Sequence, residues 1–323
     1  MLRLAGGLAP GRLAMRLMFT PKQPGPAVKA FGLTFPNPIG MAAGYDKDAL
    51  GWRGLALLGF GHIEVGTVTP RPQPGNPLPR IYRLVQDQAV INRMGFPNNG
   101  AEKIARNLQG GWRPKGTILG VNIGKNKTTS LDEAAQDYLS LIRSFAPLCD
   151  YLAINVSSPN TPGLRSLQTR RALENLLTQL AAERALQVKA LGKPVPLLVK
   201  LAPDLASDEL DDALEAILNT GMDGLIASNT TVSRTGLTSR KAAETGGMSG
   251  APLKAMNTRF IRQVVRHLGE SARSRLPILA SGGVMLPEDV REKLEAGATL
   301  VQLYTGLIYQ GPGLVKRVLD QCF

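Results

Sequence analysis

The sequence predicts a (β/α)8 barrel, also called a TIM barrel, preceded by a short N-terminal helical extension. Two observations predict this fold. Eight short apolar runs have the length and composition of buried parallel strands, and a stretch with helical spacing follows each of them. A chain of 323 residues also suits one barrel of about 250 residues with extensions. A doubly wound open sheet is the alternative that the same alternation allows.

The predicted elements have definite positions along the chain. The strands are predicted over residues 38–42, 61–66, 117–122, 151–155, 196–200, 224–228, 277–281 and 300–304. The helices are predicted over residues 48–58, 99–108, 131–146, 167–191, 208–219, 256–270, 287–295 and 313–321. Residues 67–98 are too long for a simple strand-to-helix loop, so we expect a functional insertion over the barrel mouth. The extension is predicted to occupy residues 1–30 and the barrel residues 31–323.

The composition excludes several classes of protein. An apolar fraction of 43% excludes wholesale disorder. The two cysteines, Cys149 and Cys322, are too few for a disulfide framework and favour a reducing compartment. The net charge of +13 comes from scattered lysines and arginines, and aromatic residues for base stacking are scarce, so nucleic-acid binding is not expected. The diffuse charge fits anionic substrates or an anionic membrane surface.

Polar side chains gather at one end of the predicted strands. In a (β/α)8 barrel the functional residues lie at the C-terminal strand ends, where the loops form the mouth. Nearly every predicted strand ends there in a small, amide, hydroxyl or lysine residue, whereas the opposite ends carry residues that look structural. The polar ends are 43–47, 66–67, Asn122, Asn155, Lys200, 228–230, 281–283 and 304–306.

Four of these ends indicate the kind of ligand. The loop 155–165 holds hydroxyls and amides between two prolines and a glycine, which suits a flat, hydrogen-bonding molecule. Glycine-bearing segments 281–283 and 304–306 follow the last two strands, where barrels bind phosphate through backbone N–H groups, and 248–250 is a possible third anchor. Lys200 ends an apolar strand and therefore needs a buried partner or an anionic ligand.

Several other chemistries lack their residues. His62 and His267 are the only histidines, and their predicted positions exclude a Ser-His-Asp triad. No carboxylate pair occupies the strand ends, no metal-ligand cluster is present, and no Gly-x-Gly-x-x-Gly motif opens a helix. A phosphate cradle, neutral amides and one buried lysine fit a flavin mononucleotide, whose ring would supply the redox chemistry.

From residue 31 to the C-terminus the chain resembles the membrane-associated, quinone-reducing class (class 2) of dihydroorotate dehydrogenases. The matching segments occur in the family's order and spacing at residues 42–48, 64–77, 91–96, 122–127, 155–165, 228–231 and 244–250. The resemblance implies oxidation of (S)-dihydroorotate to orotate in pyrimidine biosynthesis, with electrons passing through FMN to a quinone.

The resemblance also implies roles for individual residues. Ser158 matches the family's catalytic base, which removes the C5 proton while a hydride leaves C6, and Thr161 is a candidate proton relay. The expected flavin-binding residues are Ala43, Gly44, Tyr45, Asp46, Lys47, Thr67, Asn122, Asn155, Lys200, Ser228, Gly250, Gly283, Tyr304 and Thr305. The expected substrate-binding residues are Lys47, Asn92, Arg93, Met94, Gly95, Phe96, Asn155, Asn160, Asn229 and Thr230. No residue is expected to bind a metal.

Two alternatives to a quinone-reducing enzyme remain open. A soluble dihydroorotate dehydrogenase that uses fumarate or a nicotinamide would be expected to carry a cysteine at the position of Ser158. A non-catalytic barrel that binds a phosphate ligand or a flavin is an alternative from a different class.

The N-terminus is where the resemblance is weakest. Relatives carry a two-helix extension that docks on the membrane, whereas about thirty residues precede the matched barrel here. Residues 12–19 predict one amphipathic helix that leans on anionic lipid and borders the quinone entry. No apolar stretch approaches the length of a membrane span, and the start does not resemble a secretory signal. The expected location is peripheral, at the cytoplasmic face of a bacterial cell membrane, or at the mitochondrial inner membrane in a eukaryote.

Overall fold

The computed structural model describes residues 6–323, apart from the side chains of residues 270–273. Its strands are β1 (Val28–Ala30), β2 (Leu33–Phe35), β3 (Ile39–Met41), β4 (His62–Val68), β5 (Ile81–Leu84), β6 (Ala89–Asn92), β7 (Ile118–Ile123), β8 (Tyr151–Asn155), β9 (Leu197–Leu201), β10 (Gly224–Ala227), β11 (Gly247–Gly250), β12 (Ile278–Ser281) and β13 (Leu300–Leu303). Its helices are α1 (Ala9–Phe19), α2 (Trp52–Ala56), α3 (Gly100–Gln109), α4 (Ala134–Phe145), α5 (Arg170–Leu191), α6 (Ser207–Asn219), α7 (Lys254–Arg273), α8 (Pro287–Glu295), α9 (Thr305–Gln310) and α10 (Leu314–Cys322). Short 3-10 helices span Leu164–Gln168, Arg240–Ala243 and Ala251–Leu253.

Eight parallel strands close into a barrel in the order β3, β4, β7, β8, β9, β10, β12 and β13, after which β13 pairs with β3. This closure confirms the predicted (β/α)8 barrel, and the open-sheet alternative is wrong. Apart from the half-buried Ile118 at the start of β7, the barrel strands are buried along their whole length, because helices cover their outer faces and side chains fill the interior.

Some element predictions need correction. The predicted helix 48–58 is confined to α2, because the Asp46 carboxylate accepts hydrogen bonds from the backbone N–H groups of Leu50 and Gly51 and Ala49 has a φ of 55°, outside the helical range. The helix predicted over 256–270 extends over α7, which is interrupted at Gly269. Strands β1, β2, β5, β6 and β11 and helix α9 were not predicted.

The hairpin of β1 and β2 closes the N-terminal end of the barrel. Phe31 and Phe35 of this hairpin pack with Leu198, Ile226 and other apolar residues that point inward from the barrel strands. The ring of His62 stacks edge-on against Phe35 with 5.3 Å between ring centroids. Because this end is sealed by apolar side chains, a polar ligand reaches the barrel interior only from the C-terminal mouth.

The insertion after β4 lies over the mouth, as the sequence predicted. It forms the antiparallel pair β5 and β6, and β11 from the loop after β10 adds to the other side of β6. This small sheet carries residues from both long loops to the same side of the barrel. It therefore supplies a second wall for any cavity at the strand ends.

Helix α1 lies against the outside of the barrel. Met15 and Phe19 pack onto the main apolar core, and the backbone N–H of Lys22 donates a hydrogen bond of 2.6 Å to Asp320. The outer face exposes Leu13 and Leu17, which are 60% and 76% accessible to solvent. Within residues 6–323 we find no helix with the length and apolar character required to span a membrane.

Candidate active site

The C-terminal strand ends and the small sheet enclose a cavity of about 920 Å³, a volume that includes its opening to solvent. Its lining residues are Ala42, Ala43, Gly44, Lys47, Thr67, Asn92, Met94, Gly95, Phe96, Asn155, Ser158, Asn160, Lys200, Ser228, Asn229, Thr230, Ser249, Gly250, Leu253, Ser281, Gly282, Gly283, Val284, Gln302, Tyr304 and Thr305.

Most of the residues predicted to bind cofactor or substrate line this one cavity. The structure thus brings together residues from seven of the eight barrel strand ends, all except that of β7, and from the insertion. Tyr45, Asp46, Arg93 and Asn122 do not belong to the lining. The role of each predicted residue toward a ligand stays a prediction.

The four residues outside the lining have other partners. Tyr45 stacks edge-on against Tyr304, with 5.9 Å between ring centroids. Arg93 forms an ion pair of 2.6 Å with Glu244 and lies over the ring of Tyr82. Asp46 caps the turn before α2, as described above. Asn122 is fully buried beneath the cavity floor.

The glycine turn after β12 is suited to binding an anion. Among the described residues, the backbone N–H groups of Gly282 and Gly283 have no hydrogen-bond acceptor. Gly283 has a φ of 72°, and a Cβ there would lie 2.2 Å from the Cα of Lys254, so only glycine fits. Helix α9 begins nearby at Thr305, which lines the same cavity, and the first N–H groups of a helix have no acceptor within it. The predicted phosphate cradle therefore has free donors and room for close approach.

Ser158 lies on the loop after β8, at the wall of the cavity. Its side chain is 5% exposed, and its Oγ accepts a hydrogen bond of 3.2 Å from the backbone N–H of Asn160. Arg165 holds this loop by donating to the carbonyl oxygen of Ser157 at 3.0 Å and to that of Thr230 at 3.1 Å. The same guanidinium pairs with Asp204 at 2.9 Å. Arg165 thus fixes the Ser158 loop relative to the loop after β10.

Four asparagines supply amide groups around one region of the cavity. The Asn160 Nδ2 donates to the Asn92 Oδ1 at 3.3 Å, and the Asn229 Nδ2 donates to the Asn155 Oδ1 at 3.3 Å. These side chains come from three distant segments of the chain, namely β6, the end of β8 with the loop after it, and the loop after β10. Such a ring of donors and acceptors can bind a planar ligand with its own amide groups.

Two lysines place positive charge at the cavity. Burial, together with repulsion from Arg80, lowers the pKa of Lys47 to about 8. Lys47 Nζ donates a hydrogen bond to the carbonyl oxygen of Gly44. Burial also lowers the pKa of Lys200, and the carboxylate of Glu64 partly opposes that change. In the part of the chain that the structure describes, Lys200 makes no hydrogen bond or ion pair, so its charge is free to meet an anionic ligand.

The histidines lie away from the cavity. His62 is fully buried at the sealed end of the barrel, where burial lowers its pKa to about 3 and keeps it neutral. His267 on α7 contacts Asp211 at 2.7 Å on the barrel exterior. No group of side chains able to hold a metal ion occurs among the described residues. Acid–base chemistry at the cavity therefore depends on hydroxyls and lysines.

Sequence analysis missed two polar residues close to the site. Gln302 on β13 lines the cavity, and its Nε2 donates to the buried carboxylate of Glu64 on β4 at 2.9 Å. Gln302 lies within an otherwise apolar strand, and Glu64 lies between two apolar residues of β4. A lone carboxylate between Ile63 and Val65 was the available signal, because a buried charge requires partners.

Comparisons with known proteins agree with this geometry. The family described as Dihydroorotate dehydrogenase matches residues 26–322. A protein of Arthrobacter sp. (strain FB24) named dihydroorotate dehydrogenase (quinone) is 48% identical over 99% of this chain and 90% of its own length. One of the same name from Anaeromyxobacter sp. (strain Fw109-5) is 50% identical over 98% of this chain and 86% of its own. Among solved structures, DHODH from Eimeria tenella in complex with ferulenol has a TM-score of 0.87 and 39% identity, with 96% of this chain and 87% of that chain covered.

The closed barrel with a polar cavity at its C-terminal mouth defines a (β/α)8-barrel enzyme. The chain belongs to the dihydroorotate dehydrogenase family, which is flavin dependent. Its similarity to relatives of the quinone class confirms the family and class that the sequence motifs identified.

Proposed function

We propose that this protein oxidises (S)-dihydroorotate to orotate in pyrimidine biosynthesis and passes the electrons through FMN to a quinone. The observation that carries the proposal is one cavity that joins Ser158, a ring of asparagine amides and two lysines. Dihydroorotate has two ring amides and a carboxylate, which complement the amides and the ammonium group of Lys47. We assign the binding of the substrate's ring amides to four asparagines, namely Asn92, Asn155, Asn160 and Asn229.

The residues present fit a flavin mononucleotide. The free N–H groups of Gly282 and Gly283 suit its phosphate, and the cationic Lys200 suits the electron-rich edge of its ring. When bound, FMN would supply the hydride acceptor for the substrate and the electron store for the quinone. The protein supplies binding, orientation and charge.

Ser158 is the proposed base for the C5 proton of dihydroorotate. Its hydroxyl accepts a hydrogen bond from the Asn160 N–H, which leaves its own proton free to move toward an acceptor. The Thr161 Oγ1 is buried and has no hydrogen-bond partner within residues 6–323. Because the Thr161 Oγ1 makes no hydrogen bond to Ser158, the relay that we assign to Thr161 would require a water between the two hydroxyls to pass the proton onward to solvent, since neither histidine lies at the cavity.

Peripheral membrane association is part of the proposal. Helix α1 exposes Leu13, Leu17 and Met18 beside Arg16, and this pairing of apolar contact with basic charge favours an anionic lipid surface. Tyr45 is 38% exposed and stacks on Tyr304, which lines the cavity, so aromatic rings lead from the surface to the site. A quinone held in lipid would approach on this path. For a bacterial protein the location would be the cytoplasmic face of the cell membrane.

Steady-state turnover with three acceptors tests this function. Purified protein is given dihydroorotate with a soluble quinone analogue, fumarate or NAD⁺, and orotate formation is followed by absorbance. The proposal predicts a yellow protein that releases FMN on denaturation and forms orotate rapidly with the quinone alone. Faster turnover with fumarate or NAD⁺ would favour the soluble class, and a colourless, inactive protein would favour a non-catalytic barrel.

A further inference from the structure

A buried carboxylate beneath the cavity has no part in the mechanism above. Glu64 on β4 has no solvent exposure and does not line the cavity. It accepts hydrogen bonds from the Tyr151 hydroxyl at 3.0 Å, the Gln302 Nε2 at 2.9 Å and the Asn122 Nδ2 at 2.9 Å. Burial and the nearby carboxylate raise the pKa of Tyr151 well above 10, so its hydroxyl remains a donor. Every partner thus donates to Glu64, as an ionised carboxylate requires.

The barrel is shaped to hold this carboxylate. Gly120 on β7 lies beside the Tyr151 ring, and a Cβ at Gly120 would be 2.1 Å from the ring's Cζ. The missing side chain lets the tyrosine lie inside the barrel and reach Glu64. Donors to Glu64 therefore come from three different strands, β7, β8 and β13.

Glu64 determines the orientation of an amide chain that reaches the substrate region. Because the Asn122 Nδ2 is committed to Glu64, its Oδ1 accepts from the Thr67 hydroxyl at 2.5 Å and from the Asn155 Nδ2 at 3.1 Å. The Asn155 Oδ1 then accepts from the Asn229 Nδ2 at 3.3 Å. The Asn229 Oδ1 in turn accepts from the Thr230 N–H at 2.8 Å. Reversing any one amide would bring two donors or two acceptors face to face.

Glu64 also carries negative charge toward Lys200. Its charge raises the pKa of Lys200 and so opposes the lowering that burial causes. Among the described residues, Lys200 has no ion-pair partner. The same group thus affects both sides of the site. Hydrogen bonds carry its effect to Asn155 and Asn229, and its charge acts on the lysine assigned to the flavin edge.

We propose that Glu64 is a positioning residue that orients the amides of Asn155 and Asn229 toward the substrate and offsets the charge of Lys200 beside the flavin. This inference rests on the proposed function. Glu64 itself touches neither substrate nor cofactor. Glutamine, the uncharged isostere, would remove the negative charge and replace one of the two acceptor oxygens by an NH2 donor that faces other donors.

The test compares Glu64→Gln with Tyr151→Phe in the FMN-loaded protein. Two quantities are measured, namely the Kd of orotate by flavin absorbance and the midpoint potential of the flavin. We expect Glu64→Gln to raise the orotate Kd by about tenfold or more, as expected when buried polar groups lose their partners. We expect its potential to become more positive, because the reduced ring gains negative charge that Glu64 no longer opposes. Tyr151→Phe removes one hydrogen bond to the same carboxylate but keeps its charge and its bond to Asn122, so both quantities should stay near wild type.

A third variant covers the case in which Glu64→Gln does not fold or loses FMN. Glu64→Asp keeps the charge but is one methylene too short for Asn122, so it should keep the potential near wild type while weakening orotate binding. The inference is overturned if Glu64→Gln matches Tyr151→Phe in both quantities, or if Glu64→Asp leaves orotate affinity unchanged. The proposed function fails separately, if dihydroorotate does not reduce the wild-type flavin. The midpoint potential of the flavin is measured without substrate, so it tests the role of Glu64 even if the proposed function fails.

Discussion

Raising the pH from 7 to 9 should weaken orotate binding through Lys47. Its ammonium group is assigned to the substrate carboxylate, and its pKa in the free site is lowered to about 8 by burial and by the nearby Arg80. A lysine holds a carboxylate strongly only while protonated. Affinity for the anionic product should therefore be nearly full at and below pH 7 and should fall as pH rises through about 8.

The size of this effect follows from the pKa. With a pKa of about 8, the protonated fraction of Lys47 falls from roughly 90% at pH 7 to roughly 10% at pH 9. The orotate Kd should rise about tenfold over that interval, which corresponds to about 1.4 kcal/mol. A lysine with the ordinary pKa of 10.5 would remain almost fully protonated, and the Kd would change by only a few per cent.

Orotate titrations between pH 6.5 and 9.5, followed by flavin absorbance or calorimetry, measure this dependence. Lys47→Met is the control, since it should bind orotate weakly at every pH and lose the dependence above pH 8. Any pH dependence that Lys200 causes would persist in Lys47→Met, so this variant distinguishes the effects of the two lysines. A wild-type Kd that is constant from pH 7 to 9, or an equal pH dependence in Lys47→Met, would refute the assignment of Lys47.

Three further outcomes are expected. Lys200→Ala should lower both FMN occupancy and the rate of flavin reduction, and a variant with full flavin and wild-type kinetics would leave Lys200 a purely structural role. Arg165→Met should weaken orotate binding by about tenfold while FMN is retained, because it frees the Ser158 loop from the loop after β10; unchanged orotate titrations would argue against this clamp. Deleting residues 1–28 should leave flavin reduction by dihydroorotate at the normal rate, whereas reoxidation by quinone and sedimentation with anionic vesicles fall sharply. Unchanged quinone turnover and vesicle binding in the truncated protein would contradict the membrane role of α1.

The barrel could be predicted because its signals are local. Apolar runs bounded by polar residues marked the eight strands, and residues 151–155 and 287–295 form their elements with the predicted bounds. The hairpin of β1 and β2 gave no such signal. Its strands are three residues each, and they are stabilised by Phe31 and Phe35 packing into the barrel, a contact with residues far away in sequence.

The candidate site was predictable in position but less so in side-chain direction. Neighbouring residues in a motif need not point the same way, and Arg93 turns outward to Glu244 while Met94 and Asn92 line the cavity. Asn122 lies at a polar strand end, yet its amide points down to Glu64. Such directions depend on hydrogen-bond partners in other strands, which no local pattern reveals.

Anaerobic addition of dihydroorotate to the purified protein tests the central claim most directly. The absorbance of the bound flavin is recorded by stopped flow for the wild type and for Ser158→Ala. We predict that the wild-type flavin band bleaches as orotate forms, and that Ser158→Ala binds orotate but bleaches about 10²–10⁴-fold more slowly, the usual loss for a general base. A wild-type flavin that stays oxidised would contradict the assigned activity, and bleaching at the wild-type rate in Ser158→Ala would contradict the assigned base.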